Sequence, residues 1–221
     1  MIAIVDYGVG NLFSLASSLK FIGVESVVTS DPETIRNSDQ IVLPGVGAFG
    51  DAANKLRETG LDEIVREQAL SGKPLMGICL GMQLLFEKGY EYGEHEGLGL
   101  LKGNVVPMEG YISQDLDIPH MGWNSLDICK GDSEGVAKGE PEGFAKEKSL
   151  LRNINDGDCV YFVHSYFATD CDDSVIATAE YGEKLTAAVQ KENIMGCQFH
   201  PEKSGKVGLA ILEAFSQEVQ R

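Results

Sequence analysis

In GICLG, residues 77–81, a cysteine stands with a glycine two positions to each side. An apolar run, KPLMGI, leads into it and LGMQLLFE leads away, so a strand enters and a helix leaves. That is the context of a nucleophile on a sharp turn, where glycines let two backbone segments close around a strained residue and expose its side chain. A thiol at Cys79 would face the start of a helix beginning near Met82, whose unpaired N–H groups and aligned dipoles favour the thiolate, the form that attacks carbon. The backbone N–H of Leu80 would then help hold an oxyanion. Free cysteine is also among the most buried residue types, so GICLG taken alone fits better a small side chain packed where strand meets helix. A partner base decides between the two.

Four histidines are available. His95 lies in an acidic loop, His120 follows Pro119, His164 sits inside the apolar run YFVHSYF, and His200 belongs to GCQFHPEKS. Only His200 has a carboxylate set to orient it, Glu202. In an extended segment residues i and i+2 point the same way, so imidazole and carboxylate can meet and fix the ring. His164 reads instead as a strand histidine with hydrogen-bonded nitrogens, and Cys197 as a small buried side chain.

Two glycine-rich turns follow strands. PGVGAFGD, residues 44–51, carries backbone N–H groups at Val46 and Gly47 that could form the second half of an oxyanion hole, or could simply join strand to helix. YGVGNLF has Phe13 where a dinucleotide fingerprint needs its third glycine, and no GxxxxGK[ST] loop occurs.

The elements that must position these groups alternate. Strand-like runs at 2–5, 26–30, 40–45 and 74–78 are separated by LFSLASSLKFIG and by the long amphipathic stretch AFGDAANKLRETGLDEIVREQAL. Asp31 and Pro32 form a cap and first-turn pair, and Leu56, Leu61, Ile64 and Val65 recur at helical spacing. Beyond residue 95 shorter segments, GLLKGNVVPM, DCVYFVHSYFA, SVIATAEY and LTAAVQ, suggest antiparallel pairing, and GKVGLAILEAFSQEVQ closes the chain as a helix. The expected fold is α/β, one domain over residues 1–221, with a central mostly parallel sheet flanked by helices and a smaller antiparallel portion. The charged, Gly- and Glu-rich segment 130–148 reads as a solvated loop or insertion.

Bulk properties narrow the partners. A formal charge of −16, from 34 acidic and 18 basic residues, argues against a nucleic acid or an anionic membrane surface. No window approaches the roughly 18 to 20 apolar residues of a membrane span, and the start, MIAIVDYGVGN, lacks the features of a signal peptide. Five cysteines without a CxxC pair suggest free thiols in a reducing, cytoplasmic compartment and no structural zinc.

GICLGMQLLFE followed by QFHPEKS resembles the triad signature of class I glutamine amidotransferases. Within that family MIAIVDYGVGN, LPGVGAFG, PHMGWN (119–124) and YFVHSYF (161–167) are similar to the glutaminase subunits of imidazole glycerol phosphate synthase. The resemblance implies glutamine hydrolysis with Cys79 as nucleophile, His200 as proton shuttle and Glu202 orienting it, without metal or cofactor. It implies further that Gln83, Glu91, His164, Ser165 and Tyr166 line the glutamine pocket. Asn11, Trp123, Tyr161 and Lys203 would face a (βα)8-barrel cyclase subunit, in a heterodimer that receives the ammonia. The tryptophan is otherwise most simply a core residue. Three rival readings stand beside this one: a chorismate-pathway glutaminase, which would carry histidine in place of Met82 and lack PHMGWN; a silent binding module; and a cysteine hydrolase of peptides or esters.

Overall fold

A computed structural model describes residues 1–129 and 149–218; the segment 130–148, expected as a solvated loop, lies outside the described residues. The first half alternates as expected. Strand β1 (Ile2–Val5) leads to helix α1 (Leu12–Phe21), β2 (Ser26–Thr29), α2 (Pro32–Asn37) and β3 (Gln40–Gly45). Then come α3 (Phe49–Glu58), α4 (Leu61–Leu70), β4 (Leu75–Cys79) and the single turn α5 (Leu80–Gln83). The short strands β5 (Lys88–Gly89) and β6 (His95–Glu96) precede β7 (Asn104–Pro107), β8 (His120–Ser125) and β9 (Asp127–Ile128). The second half runs through β10 (Cys159–His164), β11 (Tyr166–Thr169), β12 (Val175–Glu180), β13 (Lys184–Lys191) and β14 (Ile194–Cys197) to α6 (Gly205–Ser216).

The main sheet has the order β2-β1-β3-β4-β14-β13-β12-β9. It is parallel from β2 to β14 and antiparallel from there to β9. Its parallel strands are apolar on both faces because helices cover both. In β1, Ile2 and Ile4 join a core with Leu15 and Leu19 of α1 and Ile211 and Phe215 of α6. Ala3 and Val5 face the other way, toward Ile35, Leu56 and Val65 of α2, α3 and α4. A β10-β8 ribbon is antiparallel, and a four-stranded sheet, β11-β7-β5-β6, is antiparallel except between β7 and β5.

Several elements differ from the sequence reading. The amphipathic stretch before β4 is two helices, broken where Gly60 takes a left-handed φ of 71° and its N–H bonds the Arg57 carbonyl. The run DCVYFVHSYFA divides at Ser165 into β10 and β11, which belong to different sheets. The helix after Cys79 begins at Leu80, not near Met82, and lasts one turn. Its continuation is blocked because the carbonyls of Leu84, Leu85 and Phe86 accept from the N–H groups of Leu98, Leu100, Leu101 and Gly99. Strand β14 was not foreseen at all: four residues containing a glycine give no alternation to read, yet this strand sits beside β4 and leads directly to His200.

Candidate active site

Cys79 ends β4 at the carboxyl edge of the parallel strands, the edge where open α/β sheets place their ligands. Its φ of 54° and ψ of −114° put a non-glycine residue in a strained conformation, which costs on the order of 1–3 kcal/mol and persists only where packing holds it. The two glycines of GICLG show what holds it. A Cβ on Gly81 would lie 1.8 Å from the Leu43 carbonyl oxygen, and one on Gly77 would lie 2.6 Å from the backbone of Gly81 and Met82. Both glycines therefore let α5 fold back onto β3 and β4 with the sulfur at the bend. The helix dipole expected at Cys79 is therefore that of a single turn, Leu80–Gln83.

The candidate base is delivered by β14. After Cys197 the chain reaches His200, whose N–H bonds the Tyr161 carbonyl at 2.9 Å while Ser204 Oγ donates to the His200 carbonyl at 2.6 Å. A 3-10 turn, Pro201–Lys203, then swings Glu202 back, so that His200 Nδ1 and Glu202 Oε1 are 2.8 Å apart, each side chain 3% exposed. The carboxylate thus meets the imidazole through a tight turn, not through the extended i, i+2 geometry expected from sequence. Burial opposes a charge on His200, but side-chain hydrogen bonds with Cys79 and Glu202, together with their negative charges, outweigh it and push its pKa up to about 9. Glu202 Oε2 is buried with no hydrogen-bond partner among the described residues.

Facing Cys79 is the turn after β3. Gly45 pairs with Cys79 in register, and its missing side chain admits Gly81 N and Leu80 Cβ, at 2.7 and 2.9 Å from the position a Cβ would take. Val46 is 43% exposed, and Gly47 takes a φ of 97° with open space where a side chain would be. Two groups anchor the turn: Tyr7 Oη donates to the Pro44 carbonyl at 2.8 Å, and Glu91 Oε2 accepts from the Phe49 N–H at 2.6 Å. Burial and the charge of Cys79 hold the Tyr7 phenol well above its ordinary range, which keeps it a neutral donor. Tyr7 was not singled out by sequence, because its role depends on a contact 37 residues away.

A third group lies beneath the sulfur. Gln83 Nε2 donates to the Tyr166 carbonyl at 3.1 Å and to Gln198 Oε1 at 2.9 Å, and Gln198 Nε2 lies 3.7 Å from Cys79 Sγ. The same Tyr166 carbonyl accepts from His164 Nδ1 at 2.9 Å. His164 Nε2 meets His120 Nδ1 at 3.1 Å, and Asn124 Nδ2 reaches His120 Nε2 at 3.3 Å. Donors and acceptors close only if both rings are neutral, with each Nδ1 carrying the proton. Burial supports this, lowering the pKa of His120 and taking that of His164 down to about 3. His164 is the hydrogen-bonded strand histidine that the sequence suggested. Ser165 and Tyr166 line a cleft of about 580 Å³ together with Pro107, Glu109 and Leu116, and burial, followed by the charge of nearby Glu91, raises the Tyr166 phenol pKa.

The outer face of the β10-β8 ribbon pairs Tyr161 with Trp123 and Val163 with Met121. Trp123 is 60% and Met121 65% exposed, which removes the core reading of the tryptophan. Trp123 meets Tyr161 edge to face at 6.1 Å, and Lys203 Nζ sits 5.8 Å from the centre of the Tyr161 ring. Asn11 borders, with Val46, His200 and Glu202, a void of about 10 Å³. Cys197 is fully buried, its thiol aimed at the Gly77 carbonyl and its pKa pushed well above the ordinary value by burial.

The chain resembles known proteins over nearly its whole length. A family model described as glutamine amidotransferase class-I matches residues 3–218. The imidazole glycerol phosphate synthase subunit HisH of Lactococcus lactis is 48% identical over 219 residues, covering 99% of this chain and 98% of that one. Its counterpart from Aquifex aeolicus is 44% identical over 220 residues, covering 99% and 97%. Among solved structures, a glutamine amidotransferase superposes with a TM-score of 0.69 at 20% identity, covering 97% of this chain and 99% of that chain. The glutaminase domain of Trypanosoma brucei CTPS superposes with a TM-score of 0.63 at 14% identity, covering 100% and 95%. The sharp turn at Cys79, the buried His200–Glu202 pair and the match from residue 3 to residue 218 lead to one conclusion: this chain belongs to the class I glutamine amidotransferase family.

Proposed function

We propose that this chain is the glutaminase subunit of imidazole glycerol phosphate synthase, hydrolysing glutamine and passing ammonia to a (βα)8-barrel cyclase subunit in a heterodimer. The observation that carries the chemistry is Cys79, held in a strained turn and near enough to His200 to help raise its pKa, while Glu202 Oε1 lies 2.8 Å from His200 Nδ1. The pathway assignment rests on relatives of 48% and 44% identity over nearly the whole chain.

In this reading the Cys79 thiolate attacks the side-chain amide carbon of glutamine, and the carbonyl electron pair moves onto oxygen. The N–H groups of Leu80 and of the Val46–Gly47 turn face that oxyanion. His200, protonated and oriented by Glu202, gives its proton to the departing nitrogen, and ammonia leaves as the C–N bond breaks. Neutral His200 then takes a proton from water, whose oxygen attacks the thioester, releasing glutamate and restoring the thiolate and imidazolium.

Gln83, Glu91 and His164 to Tyr166 form the wall that holds the glutamine head group. Two of them act through backbone already in place: Glu91 fixes the start of α3 beside Gly47, and the Tyr166 carbonyl gathers Gln83 and His164. The neighbouring elements that carry Asn11, Lys203, Tyr161 and Trp123 form the docking face, and exposed aromatic and methionine side chains there suit a protein partner. A cytoplasmic setting, expected from the cysteine pattern, belongs to the same reading.

Rapid acid quenching of the enzyme during glutamine turnover, followed by peptide mass spectrometry, tests the covalent step. A glutamyl adduct on the peptide containing Cys79 is expected. Glutamate formation with no adduct there, or with one on another cysteine, contradicts it.

A further inference from the structure

The nucleophile has a hydrogen-bonding neighbour that neither the triad nor the oxyanion turn accounts for. Gln198 is fully buried two positions before His200, with its backbone N–H tied to the Ala187 carbonyl at 2.8 Å. The direction of its side-chain amide follows from the network around it. Gln83 presents one atom both to the Tyr166 carbonyl and to Gln198; since a carbonyl only accepts, that atom is the Gln83 nitrogen. Gln198 must then turn its oxygen to Gln83, which leaves its N–H group pointing at Cys79 Sγ, 3.7 Å away.

We infer that Gln198 is a positioning residue for the nucleophile: its amide N–H holds the Cys79 thiolate, and Gln83 fixes the amide in the donating direction. The thiol can donate to the Val163 carbonyl at 4.0 Å, but the thiolate cannot, since it has only lone pairs to offer. A donor from Gln198 therefore favours the ionised sulfur and holds it near the mouth of the turn. Gln83, which the proposed function places at the glutamine head group, would transmit substrate contact to the sulfur through the same two amides. This inference rests on Cys79 being the nucleophile.

The test uses Gln198→Met, similar in length but without a donor, and Gln198→Glu, the same shape with an acceptor only. The rate at which iodoacetamide labels Cys79 in the full chain is followed against pH, with the site located by mass spectrometry. We expect labelling near neutral pH to slow about tenfold in Gln198→Met, the size of one hydrogen bond to a charged group, and further in Gln198→Glu. The whole profile should move to higher pH, while labelling of exposed Cys129 serves as the unchanged control. In the complex with its cyclase subunit kcat for glutamine should fall by a similar factor, with KM moving less.

A purely structural role would lower stability without moving the labelling profile, and that result overturns the inference. Should either variant fail to fold, the wild-type chain still decides: the Gln198 side-chain amide resonance must titrate together with Cys79 labelling, and a resonance that stays fixed through that range refutes the hydrogen bond. Failure of the underlying reading looks different, since then Cys79→Ala keeps its glutaminase activity. A dead Cys79→Ala beside a normally labelled Gln198→Met sinks only the role of Gln198.

Discussion

At the scale of single residues the site balances opposite demands on its histidines. His200 is raised from an ordinary 6.5 to about 9, so the folded protein binds a proton there that the unfolded chain releases earlier. Its contribution to stability is fully present below about pH 6.5 and is lost as pH rises through about 9. His164 runs the other way: its value near 3 means that stability present above about 6.5 is lost as pH falls toward 3. Glu202→Gln should lower the His200 titration seen by imidazole NMR and leave His164 neutral down to acid pH; an unmoved His200 would remove Glu202 from its role. Cys79, His200 and Glu202 could be picked out as candidates because the motif around each is local in sequence. Tyr7, Gln198 and His120 were not, since each acts through partners brought near only by the fold.

At the scale of elements, function depends on how closely α5 approaches the sheet. Gly81→Ala should cost about 3 kcal/mol or more in urea unfolding, because its methyl group would meet the Leu43 carbonyl at 1.8 Å and backbone cannot yield as a side chain can. Gly47→Ala separates conformation from packing. Nothing lies within 4 Å of the added carbon, so only the φ of 97° opposes it, at about 1 kcal/mol. Glutaminase activity should then fall far more than stability if the turn presents its N–H groups to an oxyanion; equal losses would argue that the turn merely connects. The parallel half of the sheet could be read from alternating runs and from caps such as Asp31, which accepts from the Thr34 N–H at 3.0 Å as expected. Strand β14 and the one-turn length of α5 could not. The first is a short buried run, and the second is set by carbonyl partners at residues 98–101.

At the scale of the whole molecule, a chain of charge −16 leaves Phe13 84%, Met121 65% and Trp123 60% exposed. Exposed aromatic side chains beside a cationic group are the composition of an interface anchor. Trp123→Ala should weaken association with the cyclase subunit by roughly 30-fold, the effect of losing one such anchor, while leaving thermal stability unchanged. Unaltered binding by titration calorimetry would move the docking face elsewhere. Under the proposed function the labour of the complex is divided: this chain would make ammonia at Cys79 and the cyclase subunit would use it. The most direct measurement compares imidazole glycerol phosphate formation by the complex carrying Cys79→Ala with glutamine or with an ammonium salt as nitrogen source. Loss of glutamine-driven turnover by about 10⁴-fold or more, with ammonium-driven turnover preserved, is the predicted result. Retained glutamine-driven turnover, or loss of both in a complex that still assembles, would contradict it.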